Sequence, residues 1–348
     1  MNRILVPTGY MGSGSSAITD LVSEYRGYES NQDTFEYVFL HCPNGLFDLE
    51  DKLLVGNTAL RSDEALHSFL QTMKQLYDKK YWWVGHYQER VSADFYDLCT
   101  QLVQNLTQYK PDFYWYAQEN TNLRMTIQLI WRKVVKLLTC NRVVPKKPLL
   151  YPEIWLSYPT PEEFYTFAKE FLRQIWDRMG IQEHPLLLDQ LLLPHNLHRV
   201  DRYFDDNLAV FVVDRDPRDV FIINKYVWAS RNEVVPFPTD PEAFAQCYLR
   251  MRQSEHPCHS EKVHRIHFED LVYHYEDSVA RVEQILGLTS QDHLRPQSRF
   301  DPSKSIQNTQ LFRVKPEYAQ EVQPLEELLR DYLYPFPYER CPDITQSF

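Results

Sequence analysis

The sequence predicts an α/β fold, a three-layer doubly wound parallel sheet carrying a mostly helical insertion. Three observations predict it. Near the amino terminus an apolar strand, Arg3-Ile4-Leu5-Val6, runs into the turn Gly9-Tyr10-Met11-Gly12-Ser13-Gly14-Ser15-Ser16. Ile18, Leu21, Val22 and Tyr25 then follow at helical spacing. Further short apolar runs alternate with helical patterns, which is the signature of βα units. One of them, Leu208-Ala209-Val210-Phe211-Val212-Val213, is continuously apolar, as expected of a strand covered on both faces.

The other runs that read as strands are Tyr37-Val38-Phe39-Leu40, Leu186-Leu187-Leu188 and Val263-His264-Arg265-Ile266. Among the helices, Thr160-Pro161-Glu162-Glu163 is a capping box with proline at the first helical position. Phe164, Phe167, Ala168, Phe171, Leu172, Ile175 and Met179 form the apolar stripe behind it, and Gly180 stops it. Val279, Val282, Ile285 and Leu286 form a second stripe that ends at Gly287. Over about 62–150 strand patterns fade and helical ones dominate, as in Leu123, Ile127, Ile130, Trp131, Val134, Leu137 and Leu138. This stretch reads as an insertion into a single domain spanning 1–348, closed by the linker 143–148, with an irregular tail over about 335–348.

The chain has 348 residues and a formal charge of −11, which argues against bulk nucleic-acid binding. It has only 9 glycines, so the three at positions 9, 12 and 14 stand out as a cluster. The six cysteines show no C-x-x-C and no paired spacing, which suits free thiols in a reducing compartment. No run is long enough to span a membrane, and a strand that the fold needs begins at residue 3, which argues against a cleavable leader. The expectation is a soluble, cytoplasmic protein.

A strand, a Gly/Ser turn and a helix start, in that order, make a phosphate cradle. The arrangement is P-loop NTPase-like, but Ser15 stands where such loops carry a lysine before the final Ser/Thr. It suits a phosphate site built from backbone and hydroxyls rather than one organised around lysine and magnesium. The second informative segment is Asp214-Arg215-Asp216-Pro217-Arg218-Asp219-Val220, at the carboxyl edge of the 208–213 strand, where ligands of open α/β sheets sit. Its arginines offer forked, permanent donors for a phosphate monoester, or else pair with the neighbouring aspartates to shape a turn.

At these residues the chain resembles the sulfotransferases that use 3′-phosphoadenosine-5′-phosphosulfate, closest in style to the carbohydrate sulfotransferases. Gly12-Ser13-Gly14-Ser15-Ser16 is similar to their 5′-phosphosulfate loop, and Arg215-Asp216-Pro217-Arg218-Asp219-Val220 to their 3′-phosphate motif. Phe268-Glu269-Asp270-Leu271, with Ile285-Leu286-Gly287-Leu288 after it, and Ser305-Ile306-Gln307-Asn308 resemble later segments of the family. The order fits from the first strand to about Phe312, with the helical insertion unmatched. The resemblance implies that Gly12, Ser13, Gly14, Ser15 and Ser16 hold the 5′-phosphosulfate, that Arg215 binds the 3′-phosphate, and that Ser305 and Asn308 lie near the nucleotide. Two positions differ from the family. Gly12 stands where a lysine or arginine is usual, with Lys52, Arg61 and Lys225 as candidate stand-ins, and Ile223 stands where a serine is usual, with Asn224 beside it as the candidate substitute.

Sulfuryl transfer needs a base for the acceptor hydroxyl. His41, at the end of the expected second strand, and then Asp48 are the candidates; Asp48 and Glu50 equally suit capping the helix that follows. Asp189-Gln190 reads as a polar turn on the same edge. The stretch from Arg124 to Lys147 carries seven cations and no acid, suited to an anionic glycan or nucleotide or to a solvated helix face. Trp82, Trp83, Tyr114, Trp115 and Tyr116 would stack on sugar rings or fill a core. The histidines show no metal-ligand pattern, so no metal is expected.

The function expected is therefore transfer of a sulfuryl group from 3′-phosphoadenosine-5′-phosphosulfate to a hydroxyl or amine acceptor, a carbohydrate by family habit, leaving adenosine 3′,5′-bisphosphate. The alternatives are a P-loop kinase-like phosphotransferase, with Asp214 as its magnesium ligand, and a catalytically impaired protein that binds the adenosine bisphosphate.

Overall fold

In a computed structural model, which describes residues 4–28, 35–79, 84–116, 122–151, 153–231 and 235–342, the chain divides into two compact units. The first comprises Met1–His41, Tyr81–Val84 and Trp176–Phe348, and the second Cys42–Lys80 and Gly85–Ile175. The segment expected as an insertion over about 62–150 falls mostly in the second unit.

The first unit is built on a parallel sheet of four strands, β1 (Ile4–Gly9), β2 (Leu186–Leu187), β3 (Leu208–Asp214) and β4 (Val263–His267), in the order β2-β1-β3-β4. β1 and β3 are buried at every position, which is why their sequences run apolar without alternation. Leu5, Ala209, Phe211 and Val213 on one face pack with Ile18, Leu21, Leu271, Val282 and Leu286 of the helices Ser16–Val22, Phe268–Tyr273 and Tyr275–Leu286. Helices Pro217–Ile222 and Pro241–Gln253 form a separate cluster with the carboxyl-terminal residues Leu311, Tyr318 and Leu325. From β1 the chain moves to β2 on one side, and from β3 it moves to β4 on the other. The order therefore reverses between β1 and β3, whose carboxyl ends are Gly9 and Asp214. That is the switch point at which doubly wound sheets open a crevice.

Tyr37-Val38-Phe39-Leu40 is not a strand. Tyr37 N–H bonds to the Asp189 carbonyl at 2.9 Å, but the chain then turns, with His41 N–H donating to the Val38 carbonyl at 3.1 Å. Phe39 and Leu40 are fully buried in that turn. A four-residue apolar run marks burial, and a tight turn supplies burial as well as a strand does.

Glu24, at the foot of the first helix, is a buried carboxylate that accepts from His293 Nε2 and from the N–H groups of Gln297, Arg299 and Phe300. It ties the irregular 293–300 segment to the sheet's helical layer. The tail is irregular but anchored over its described part. Tyr334 N–H donates to Asp216, and Arg340 bonds to Gln310 Oε1 and the Ile306 carbonyl. Residues 343–348 lie outside the described residues, as do Trp82 and Trp83.

The second unit is helical. Its long helices are Ala59–Asp78, Phe95–Leu106, Leu123–Leu138 and Pro161–Arg178, the last continuing past the unit's boundary. The capping box forms reciprocally, with Glu163 N–H donating to Thr160 Oγ1 and Thr160 N–H to Glu163 Oε2. Phe164, Ala168, Phe171, Leu172 and Ile175 are buried on that helix, as the stripe predicts. At its far end the helix stops at Arg178, before Gly180.

Candidate functional site

The switch point opens into a cavity of about 660 Å³ lined entirely by the first unit. One wall is the glycine-rich turn, including Gly12, Gly14, Ser15 and Ser16; others are formed by Arg215, Asn308, Glu36, His41 and Gln190, and by the apolar side chains of Ile223, Trp228, Met251 and Phe268. The amino-terminal loop and the β3 arginine, more than two hundred residues apart in the chain, share one crevice.

The loop owes its course to two glycines. A Cβ at Gly9 would stand 2.2 Å from Ser13 Oγ and 2.7 Å from the Val213 carbonyl oxygen, so only hydrogen lets the turn fold back against β3. Gly12 has φ +81°, where a side chain is strained, and its Cβ would meet Trp228 at 3.1 Å. The position where the resembled family carries a cation is thus shaped for glycine. The helix that follows takes its first hydrogen bonds from Ala17 to the Gly14 carbonyl and from Ile18 to the Ser15 carbonyl. A helix starting there leaves the N–H groups of Gly14, Ser15 and Ser16 without intrahelical partners.

Gln190 holds the loop from the β2 side. It accepts from Thr8 Oγ1 at 3.1 Å and donates to Ser15 Oγ at 3.0 Å. Its carbonyl oxygen lies 2.8 Å from His41 Nε2. A carbonyl only accepts, so Nε2 carries a proton, and burial lowers the pKa of the ring, which keeps it neutral. His41 therefore lines the cavity as an anchored imidazole.

Arg215 is 6% exposed. Its Nη1 donates to the Gly12 carbonyl at 3.1 Å and its Nη2 to the Asn308 carbonyl, so it bridges the loop and the carboxyl-terminal segment. The guanidinium carbon sits 4.7 Å from the centre of the Phe268 ring. Burial lowers its pKa, while Asp219, Glu269 and Asp216 act in the opposite direction. Those three carboxyls are engaged by the fold. Asp219 accepts from Gln310 and Leu311 N–H, Glu269 accepts from Asp216 N–H, and Asp216 pairs with Arg218 at 2.9 Å. Burial, then the Asp216 charge, pushes Glu269 up to about 8 and Asp219 up to about 7. Arg218 also pairs with Glu326, so of the two arginines Arg215 lines the cavity and Arg218 braces the turn.

Arg215 Nε and Asn308 Oδ1, on two residues that line the cavity, have no hydrogen-bond partner among the described residues. Buried polar groups without partners call for an explanation, and these two belong to residues joined by the Arg215 hydrogen bond to Asn308. Ser13, expected to help hold the 5′-phosphosulfate, does not line the cavity, and its Oγ lies against Gly9.

Other candidates fall elsewhere. The Asn224 amide is buried and bonded to the backbone of Phe237 and Pro238, and Ile223 lines the cavity in its place. Ser305 is half-buried in the short helix Pro302–Ser305 and does not line the cavity, whereas Asn308 does. Asp48 belongs to the second unit, where it accepts from Asn44 N–H at 2.7 Å beside the start of helix Leu46–Leu54. The stand-in cations are engaged too: Lys52 with Asn44 and Glu64, Arg61 with the Gly56 and Asp51 carbonyls, and Lys225 with Glu321. Asp214 pairs with Arg252 at 2.9 Å and with Arg265 at 3.2 Å. A carboxylate held by two guanidinium groups is a poor magnesium ligand.

Three lining residues escaped the sequence. Glu36 is half-buried, and burial raises its pKa. It sits beside Asp189, which burial, with Glu36 and Asp20 nearby, pushes up to about 6. His195 has its Nε2 3.2 Å from the Met251 carbonyl. Trp228 reaches the cavity because the chain widens into a π-helix over Ile223–Trp228, which brings both of its ends to one wall. A lone acid before a short apolar run and a tryptophan in a helical stretch carry no sequence signal of their own.

No family model matches the chain, and no curated protein matches it. Among solved structures it is similar to one described as "Sulfotransferase Domain from the Curacin Biosynthetic Pathway", with 12% identity and a TM-score of 0.35, over 97% of this chain and 93% of that one. A likeness at that level assigns no role to any residue.

Proposed function

We propose that this protein is a sulfotransferase that uses 3′-phosphoadenosine-5′-phosphosulfate and transfers its sulfuryl group to a hydroxyl acceptor. One observation carries the reading: Gly12, Gly14, Ser15, Ser16 and Arg215 line a single cavity, and two residues of its wall, Arg215 and Asn308, each carry a polar atom without a partner. Two anion-binding elements facing one crevice suit a ligand with phosphates at two separated positions. The donor supplies an activated sulfuryl group. The loop N–H groups and the Ser15 and Ser16 hydroxyls hold its 5′ end, and Arg215 with Asn308 holds the 3′-phosphate. The apolar wall of Trp228, Ile223 and Met251 suits the base. Glu36, a raised carboxyl on the cavity wall, takes the acceptor proton, and His41 with Gln190 positions the loop serine. The acceptor we favour is a carbohydrate hydroxyl, on the strength of the sequence resemblance.

A second reading has its own support. Gly12 is closed to a cationic side chain, and Lys52, Arg61 and Lys225 are engaged with partners, so the site binds the nucleotide but transfers slowly or not at all. Thermal unfolding separates these readings from a kinase. Adenosine 3′,5′-bisphosphate at a hundredfold excess over its Kd stabilises the folded protein by about 2.7 kcal/mol, and ATP with magnesium does not. Stabilisation by ATP with magnesium alone refutes the proposal. Transfer of labelled sulfate to a panel of glycans distinguishes the enzyme from the binding protein.

A further inference from the structure

We infer that the helix Leu123–Leu138 of the second unit is an interfacial helix that lies on an anionic phospholipid bilayer. The inference is independent of the proposed donor site, since every residue it uses belongs to the second unit.

The observation is an apolar helix face turned outward. Leu123, Ile127, Ile130, Trp131, Val134 and Leu138 fall on an arc of roughly 100° of the helix. They are between 40% and 79% exposed. The opposite side meets the protein: Met125 is buried, and Leu129, Arg132, Val135 and Lys136 are half-buried. Arg132 Nε donates to the Pro145 carbonyl at 2.8 Å, which joins the helix to the segment after it. The less exposed side thus carries Met125 and the Arg132 hydrogen bond, and the apolar arc lies on the opposite side.

Charge selects the occupant. Arg124 and Lys133 are exposed and flank the apolar arc on its two sides, and Arg142 and Lys146 add two exposed cations just beyond the helix. From position 121 to 152 the sequence has seven Lys or Arg and no Asp or Glu, in a protein whose net charge is −11. A second copy paired face to face through this helix would set these cations against one another with no acid in the segment to answer them. An anionic bilayer answers both features, with acyl chains for the apolar arc and phosphates for its flanks. Trp131 sits at the edge of the arc, the depth at which tryptophan favours an interface. No described helix is long and apolar enough to cross a membrane, so the helix lies in the plane.

Co-sedimentation of the full chain with vesicles tests this. The protein should pellet with phosphatidylcholine–phosphatidylserine vesicles, not with phosphatidylcholine alone, and added salt should release it. Ile127→Gln with Trp131→Gln should abolish binding. Arg124→Glu with Lys133→Glu should weaken it at least about 25-fold, at roughly fivefold per cation. All four positions are exposed, and an unchanged melting temperature checks that each variant folds. Equal binding to neutral and anionic vesicles, or none to either, overturns the inference. So does a dimer of the wild type that the Ile127→Gln, Trp131→Gln variant converts to monomer in the absence of lipid.

Discussion

Replacing Arg215 tests the two-anion crevice most directly. The guanidinium is buried and bonds to the Gly12 and Asn308 carbonyls, while its Nε lacks a partner. Truncation to alanine removes the guanidinium proposed to bind a 3′-phosphate but also leaves the Gly12 and Asn308 carbonyls without their donor. A bare loss of affinity would therefore mix ligand recognition with loosening of the loop. A comparison of two ligands separates them. Adenosine 3′,5′-bisphosphate and adenosine 5′-monophosphate differ by the 3′-phosphate, so loop damage affects both. Loss of a charge-assisted contact affects only the first, by about 1.5–3 kcal/mol, or about 10- to 150-fold. Isothermal titration of wild type, Arg215→Lys and Arg215→Ala with both nucleotides reads the ratio. The wild type should prefer the bisphosphate, alanine should lose that preference, and lysine should keep part of it. An unchanged ratio in Arg215→Ala would refute the assignment of Arg215 to the 3′-phosphate.

Other perturbations address the loop, the proposed base and the carboxyl cluster. Gly9→Ala forces a Cβ to 2.7 Å from the Val213 carbonyl, a backbone atom that cannot swing aside. Denaturant unfolding should show a loss of about 1–3 kcal/mol, together with weaker bisphosphate binding. Glu36→Gln should lower turnover about 100- to 10,000-fold while leaving bisphosphate affinity intact. The wild-type rate should rise with pH through a pKa above that of an ordinary glutamate, since the base acts ionised and burial raises it. Retained turnover in Glu36→Gln with loss in His41→Ala would transfer the role to His41. Glu269 has its folded pKa raised to about 8, so the folded state binds the extra proton. Its contribution to stability is present at acidic pH and declines as pH rises from the ordinary glutamate range toward 8. Glu269→Gln keeps an acceptor for Asp216 N–H and removes that titration, so its melting temperature should gain on the wild type as pH rises from the ordinary glutamate range to about 8 and level off above it. A difference independent of pH would contradict the burial assigned to Glu269.

What the sequence determined by itself is local or periodic. A continuous apolar run gives a covered strand, so β3 was legible, and so was β1 with its glycine-rich turn. The capping box fixes a helix start within four residues, and it formed at Thr160 and Glu163. That the loop and Arg215 belong on one sheet edge follows from parallel strands, whose carboxyl ends all point the same way. Tertiary structure decided the rest. Whether Tyr37–Leu40 pairs or turns depends on the neighbour beside it, and it turns. Asn224 and Ile223 are adjacent, and only the π-helical widening and the Phe237 backbone decide which of them reaches the cavity. The engagement of Asp214 by Arg252 and Arg265 and the arrival of Glu36 at the cavity wall join residues far apart in the chain. Such contacts follow from the closing of the fold, because hydrogen bonds and ion pairs are short-ranged and no pattern along the sequence encodes which distant partner arrives.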